Sequence, residues 1–246
     1  MGRAFGILGE TRKSIEFFEQ GLAIKRNIED RKDESAALNN LGSAYAVLGE
    51  TRKAIEYYDQ GLAIDREIGD RENEGIALNA LGAAYADLGE TNKAIKYYEQ
   101  SLEIDRTIES KMLESNTLCH LGEAYADLGE TNKAIKYYEQ SLEIVRKTES
   151  KMIEGDILCK LGRAYADLSD ARKAIEYYEQ SLEIARKIEY SKGEGEVLFY
   201  MSRSLDNLGQ RKEAIDQAED ALRIFEQIES PLAEKVRSKL AEWKEA

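Results

Sequence analysis

The 21 residues AYADLGETNKAIKYYEQSLEI at 84–104 recur letter for letter at 124–144, an offset of 40. The rest of the chain keeps that beat. Gly2, Gly42, Gly82, Gly122 and Gly162 hold one column, and Tyr45, Tyr85, Tyr125 and Tyr165 a second, with Phe5 ahead of them. Ala54, Ala94, Ala134, Ala174 and Ala214 form a third, and Tyr58, Tyr98, Tyr138 and Tyr178 a fourth, with Phe18 ahead. A fixed period of roughly 20–50 residues marks an array of stacked units, because one unit cannot bury its own apolar face. The frame predicts full units at 31–70, 71–110, 111–150, 151–190 and 191–230. A partial unit fills 1–30 and a distinct tail 231–246, all within one elongated domain, 1–246.

Each unit carries two helical patterns. In 31–70, Leu38, Leu41, Tyr45 and Leu48 recur at steps of three and four, which is one apolar face of a helix. Gly49 is placed to stop that helix, and Thr51 is expected to cap the next. Ala54, Ile55, Tyr58, Leu62 and Ile68 form the second apolar face. The link is a few residues long, which makes the two helices antiparallel neighbours. No sustained alternation of period two appears, and the one proline is Pro231. The expected fold is all-α. Gly42 and Ala54 are expected where two helices approach closely, with Tyr45 and Tyr58 filling the space around them.

Leu38, Leu41-Gly42, Tyr45, Ala54, Tyr58 and Gly61 together resemble the tetratricopeptide repeat motif. The match spans nearly the whole chain. Three features depart from the motif: its tryptophan is Leu here, its closing proline is missing, and the period is 40 rather than 34. The longer period is similar to the repeats of Partner-of-Inscuteable-type adaptors and of many prokaryotic arrays. The resemblance implies a right-handed superhelical solenoid that binds peptides along its inner face.

No run of about 18 apolar residues is present, so no membrane span is expected. The opening MGRAFGILGE aligns with SAYAVLGE as repeat sequence rather than as a signal peptide, and a cytoplasmic location is predicted. Met1 falls inside a first helix, so Phe5, Ile7 and Leu8 are expected on the stub of a truncated repeat. At the other end, Ser230 and Pro231 read as a helix start. Leu232, Val236, Leu240 and Trp243 then share one face, with Glu234, Lys235, Arg237, Lys239 and Glu242 facing out, as a solvating cap helix would. The net charge of −13 argues against nucleic acid, which needs a basic stripe. It favours basic partners by steering. The charge runs are expected to be solvated faces.

Catalytic and metal chemistry find no support. Cys119 and Cys159 occupy one slot of adjacent units, and stacked helices about 8–10 Å apart exceed the roughly 7 Å a disulfide allows. His120 follows Cys119, and consecutive helical positions point in different directions, so they make a poor metal site. No nucleophile elbow, phosphate loop or isolated carboxylate pair stands out from the repeats. Neither an enzyme nor a cofactor is expected.

The informative positions are those that fail to repeat. One slot reads Asn39, Asn79, Cys119, Cys159, Phe199, and the next Asn40, Ala80, His120, Lys160, Tyr200. A third reads Ser43, Ala83, Glu123, Arg163, Arg203, while Asp87, Asp127 and Asp167 share another. Slots 36, 40, 43 and 47 lie along one stripe off the Leu38–Leu41–Tyr45 face. In the family resembled, that side of the first helix lines the concave groove. The second helix barely changes between units. The candidate groove is therefore Asn39, Asn40, Asn79, Asp87, His120, Glu123, Asp127, Lys160, Arg163, Asp167, Phe199, Tyr200 and Arg203. Its asparagines suit an extended backbone, its middle is acidic, and its C-terminal part offers cations with Phe199 and Tyr200 as anchors. The expected partner is a protein or extended peptide with basic residues at one end and a carboxylate at the other. The rival is a self-assembling or engineered repeat protein that forms a homo-oligomer through its open N-terminal end.

Overall fold

In a computed structural model, residues 2–148 and 150–245 are described, and for residues 2–9 the backbone alone. Phe5, Ile7 and Leu8 thus fall outside the described side chains. Every regular element among the described residues is an α-helix. The chain forms two compact units, Met1–Leu128 and Gly129–Ala246. The first holds α1 (Gly2–Asn27), α2 (Arg31–Val47), α3 (Thr51–Ile68), α4 (Arg71–Asp87), α5 (Thr91–Thr107) and α6 (Lys111–Asp127). The second holds α7 (Thr131–Thr148), α8 (Lys151–Asp167), α9 (Ala171–Lys187), α10 (Ser191–Asn207), α11 (Arg211–Gln227) and α12 (Leu232–Glu245). Within the first unit each helix packs on the next, and α4 also touches both α2 and α6. Within the second, packing again runs helix to helix, and α8 touches α10. Each unit is a helix–turn–helix solenoid in which every helix leans on its sequence neighbours.

The columns of small and aromatic residues pack against each other. Leu38, Leu41, Leu78, Leu81, Leu158 and Leu161 are fully buried, as are Ala54, Ala94 and Ala174. Gly42 lies under the ring of Tyr58, and Gly82 and Gly162 lie likewise under Tyr98 and Tyr178. The close approach is therefore a glycine against a tyrosine ring. Tyr45 does different work. Its ring stacks on Tyr57 at 5.3 Å, with Lys53 Nζ 3.9 Å from the ring centroid. Tyr85–Tyr97 with Lys93, and Tyr165–Tyr177 with Lys173, repeat this cation–aromatic stack.

The turns inside the repeats use left-handed residues. Gly49 and Gly89 sit at φ 76° and 75°, and Ser169 takes the same place at φ 62°. The amides after the first two return to Tyr45 and Tyr85 carbonyls at 2.9 Å. Thr51 is the first helical residue of α3, and Glu50 precedes it as the N-cap without a side-chain bond. The caps with side-chain bonds belong to Asp30, Asp70 and Asp170, which accept from the backbone N–H three residues on. The tail helix begins at Leu232, whose N–H donates to Ser230 Oγ at 3.3 Å.

Two features differ from the sequence-based expectation. First, α1 runs unbroken through Gly9-Glu10, where the other copies turn. Second, one charged column is buried rather than solvated. Glu34, Glu74, Glu114 and Glu154 are all buried. Glu114 accepts from Arg106 Nε at 2.9 Å and Lys111 Nζ at 2.7 Å, and Glu154 from Arg146 and Lys151 at 3.1 and 2.7 Å. Arg26 with Arg31, and Arg66 with Arg71, hold Glu34 and Glu74 in the same way. The first arginine of each set ends one repeat and the glutamate begins the next, so the bridge ties consecutive repeats. Burial pushes the Glu114 carboxyl up, but Lys111 and Arg106 outweigh it and hold the group below its ordinary 4.5.

Candidate peptide-binding face

In the first unit, the non-repeating residues divide between two environments. Asn40, Ser43 and Asp87 are exposed, as is Asp127, and Glu123 is half-buried. These lie on α2, α4 and α6. Burial raises the Tyr98 phenol above its ordinary value, and the Glu123, Asp87 and Asp127 carboxylates add to the shift. All three carboxylates act on the one phenol, so this face is acidic.

Asn39 and Asn79 are turned to other uses. Asn39 is half-buried, with its Oδ1 lying over Gly61. Asn79 Nδ2 donates to Thr117 Oγ1 at 2.9 Å, so its Oδ1 accepts from His120 Nδ1, 3.0 Å away. Thr117 in turn donates to Asp105 Oδ2 at 2.7 Å. The His120 ring lies 5.4 Å from Tyr98. Asn79 therefore bonds one repeat to the next. The network ends on a buried carboxylate. Burial raises the Asp105 carboxyl above its ordinary 3.8 against the opposing bonds from Thr117 and Ser101. Asp65 occupies the same slot one repeat earlier, receives Ser35 Oγ at 2.5 Å, and is raised by burial too.

In the second unit, Arg163, Asp167 and Arg203 are exposed, and Lys160 and Tyr200 are half-buried. Phe199 is not an exposed anchor. It is 5% exposed, because its slot faces the neighbouring helices, and only Tyr200 remains on the stripe. The Arg163 guanidinium lies 5.1 Å from the centroid of the Tyr200 ring. A cavity of about 340 Å³ opens here between α8, α10 and α12. Lys235, Lys239 and Trp243 line it with Arg163, Tyr200 and Arg203. The sequence pattern turned those two lysines to bulk solvent, because the position of α12 beside the stripe depends on tertiary packing. Their signal was present in the i, i+4 spacing of 235 and 239, next to the apolar face of the same helix.

The model of the tetratricopeptide repeat family matches residues 33–107, 113–187 and 154–227. The chain belongs to the tetratricopeptide repeat family. Its repeats form a protein-interaction scaffold, and the family is generally non-catalytic. Among solved structures, BtubC (BKLC) from P. vanneervenii superposes with a TM-score of 0.80 at 17% identity, over 89% of this chain and 92% of that one. A putative kinesin light chain with nearly identical TPR-like repeats from Podosopora anserina gives 0.68 at 22%, over 80% and 97%. A Rap protein complexed with Competence and Sporulation Factor gives 0.70 at 16%, over 97% and 71%. At these identities the likeness concerns the tetratricopeptide fold. A search of curated proteins finds no match.

The remaining chemistry of this tetratricopeptide chain is sparse. Neither cysteine is in a disulfide, and burial pushes Cys159 up to about 12, which keeps it protonated. Among the described residues no group of three His, Cys, Asp or Glu side chains is placed to hold a metal. No helix among them is long and apolar enough to cross a membrane.

Proposed function

We propose that the chain is a non-catalytic scaffold that takes an extended peptide on the exposed stripe of the first helix of each repeat. The observation that carries this is the coincidence of variation with exposure. Slots 40 and 43 change from copy to copy and bring Asn40, Ser43, Arg163 and Arg203 to solvent, with slot 47 adding Asp87, Asp127 and Asp167 beside them. The outer face of the second helices is equally exposed and nearly constant, as in EYYEQSLEI and KYYEQSLEI. A relaxed surface would vary on both. The residues proposed to contact the peptide are Asn40, Asp87, Glu123 and Asp127 in the first unit, and Lys160, Arg163, Asp167, Tyr200 and Arg203 in the second. Within each unit, packed helices hold these side chains in place, so little ordering cost falls on the protein. The Rap protein's solved complex with Competence and Sporulation Factor supports a partner-binding role for this fold.

The test is capture from a peptide array. Asp87→Lys with Asp127→Lys, and separately Arg163→Glu with Arg203→Glu, are expected to leave the circular dichroism unchanged and to abolish binding of the peptides selected by the wild type. Unchanged capture by both double variants rejects the proposal.

A second reading has its own observation. Phe17 and Ile24 on one face of α1, and Ile28 just past its end, are 71%, 59% and 61% exposed. Self-association through α1 predicts a mass that grows with concentration and returns to 27.8 kDa in the Phe17→Asp/Ile24→Asp variant. A constant monomer mass across the series removes this alternative.

A further inference from the structure

The cavity between α8, α10 and α12 has a charge that the rest of the chain does not. The protein carries a net −13, and most of its described arginines hold carboxylates. Arg163, Arg203 and Lys235 line the cavity, and no carboxylate lies within 4.0 Å of any of them among the described residues. The other charged groups there are mostly spoken for. Lys239 pairs with Glu242 at 2.8 Å, and Asp206 with Arg211 at 2.5 Å. Among the described lining residues Asp167 is the one remaining carboxylate, so three unpaired cations face one acid. The equivalent slot in earlier repeats reads Ser43, Ala83 and Glu123, so the first unit has no such cluster. Trp243 supplies a second, independent observation. It lines the cavity, is 3% exposed, and its Nε1 is a buried donor without an acceptor among the described residues. Buried donors are normally satisfied.

We propose that this cavity binds an acidic peptide segment, with carboxylates held by Arg163, Arg203 and Lys235 and α12 acting as a wall of the site. The proposal rests on peptide binding by this face and names the chemistry that the second unit selects. Carboxylates spaced along a chain fit better than one phosphate. The cations come from three helices around about 340 Å³. Arg163 and Arg203 also sit toward the C-terminal ends of α8 and α10, away from the helix N-termini that suit phosphate. The half-buried Tyr200 ring gives the stems of the peptide's side chains an apolar surface. The cap helix then has a task beyond covering the last repeat.

Trp243 is the chain's single tryptophan, so its emission reports on this cavity. The full chain is titrated with end-blocked octaglutamate, with octalysine, and with a neutral octapeptide carrying one phosphoserine. Octaglutamate is expected to change Trp243 emission saturably, with an affinity that falls as salt is raised. Lys235→Glu and Arg203→Glu each weaken it about tenfold, whereas Lys212→Ala on α11 leaves it unchanged. All three variants keep the wild-type circular dichroism. The proposal is overturned by absence of a saturable change with octaglutamate, by tighter binding of octalysine or the phosphopeptide, or by wild-type affinity in both charge reversals. If octaglutamate fails while array peptides still bind in an Asp87- and Arg163-dependent manner, the acidic class falls and the peptide-binding face stands. If neither binds, both fall.

Discussion

A Cβ built on Gly82 would stand 2.5 Å from Cε1 of Tyr98. The tyrosine is buried and its ring cannot retreat without opening the contact between α4 and α5. Gly82→Ala is therefore expected to destabilise the first unit by roughly 1–3 kcal/mol, the usual cost of overpacking. Truncating Tyr98 to Leu in the same chain should make the alanine nearly neutral. Urea unfolding of the two single variants and the double measures the coupling. Simple additivity would mean that the ring yields freely.

The bridge at Glu114 gives a prediction with a pH sign. Its folded-state carboxyl lies below the ordinary 4.5, so its contribution is present above that value and is lost as pH falls through the lowered folded value. Arg106 and Lys111 are 52% and 62% exposed and can be solvated alone, which limits the cost of Glu114→Gln to about 1 kcal/mol at neutral pH. The difference between wild type and variant should shrink towards zero below the window. Urea midpoints taken across pH 3–7 would show it.

Asp105 runs the other way. Its carboxyl is raised by burial, and its Oδ1 has no partner. A raised acid binds its proton more tightly when folded, so this group costs stability as pH rises from 3.8 through the folded value. Relative to Asp105→Asn, the wild type should lose ground over that interval. A difference curve that is flat, or that rises with pH, would refute the assignment. Slot 65 is Val145, Ala185 and Phe225 in the second unit, so no such titration is expected there.

Ser169 holds a left-handed turn at φ 62°, where the copies have Gly49, Gly89 and Gly129. A side chain in that conformation costs about 1 kcal/mol relative to glycine. Ser169→Gly should raise the thermal midpoint of the second unit, as followed by circular dichroism. A lower midpoint would mean that the greater freedom of glycine in the unfolded chain outweighs the relief.

The packing columns were legible because stacking reuses one solution: Leu38, Leu41, Gly42 and Tyr58 recur with the period and are buried with it. The glutamate bridge repeats just as faithfully, with Arg66 eight residues before Glu74 and Arg106 eight before Glu114. It was misread because a charge on a helix is solvated by default, and only packing shows which one a neighbouring repeat covers. The candidate face was legible as a stripe but not as a surface. Helical geometry places slots 39 and 40 side by side, yet Asn79 and Phe199 turn toward adjacent helices while Asp87 and Arg203 meet solvent. The cavity under α12 depends on where the tail helix lies, and no periodicity encodes that.

Asn79 separates these two uses of the face. Removing its amide by Asn79→Ala breaks the bonds to Thr117 and His120 and leaves Thr117 attached to Asp105. The expected cost is about 1–2 kcal/mol to the first unit, since the buried Thr117 and the half-buried His120 each lose a bond. Backbone hydrogen exchange should quicken in α6 before it does in α8–α12, because the lost contact joins α4 to α6. Emission titrations of Trp243 with octaglutamate should be unaffected, as the cavity is built wholly within the second unit. If instead Asn79→Ala leaves stability and exchange unchanged but abolishes capture of array peptides, its amide belongs to the binding surface and the inter-repeat bond is incidental.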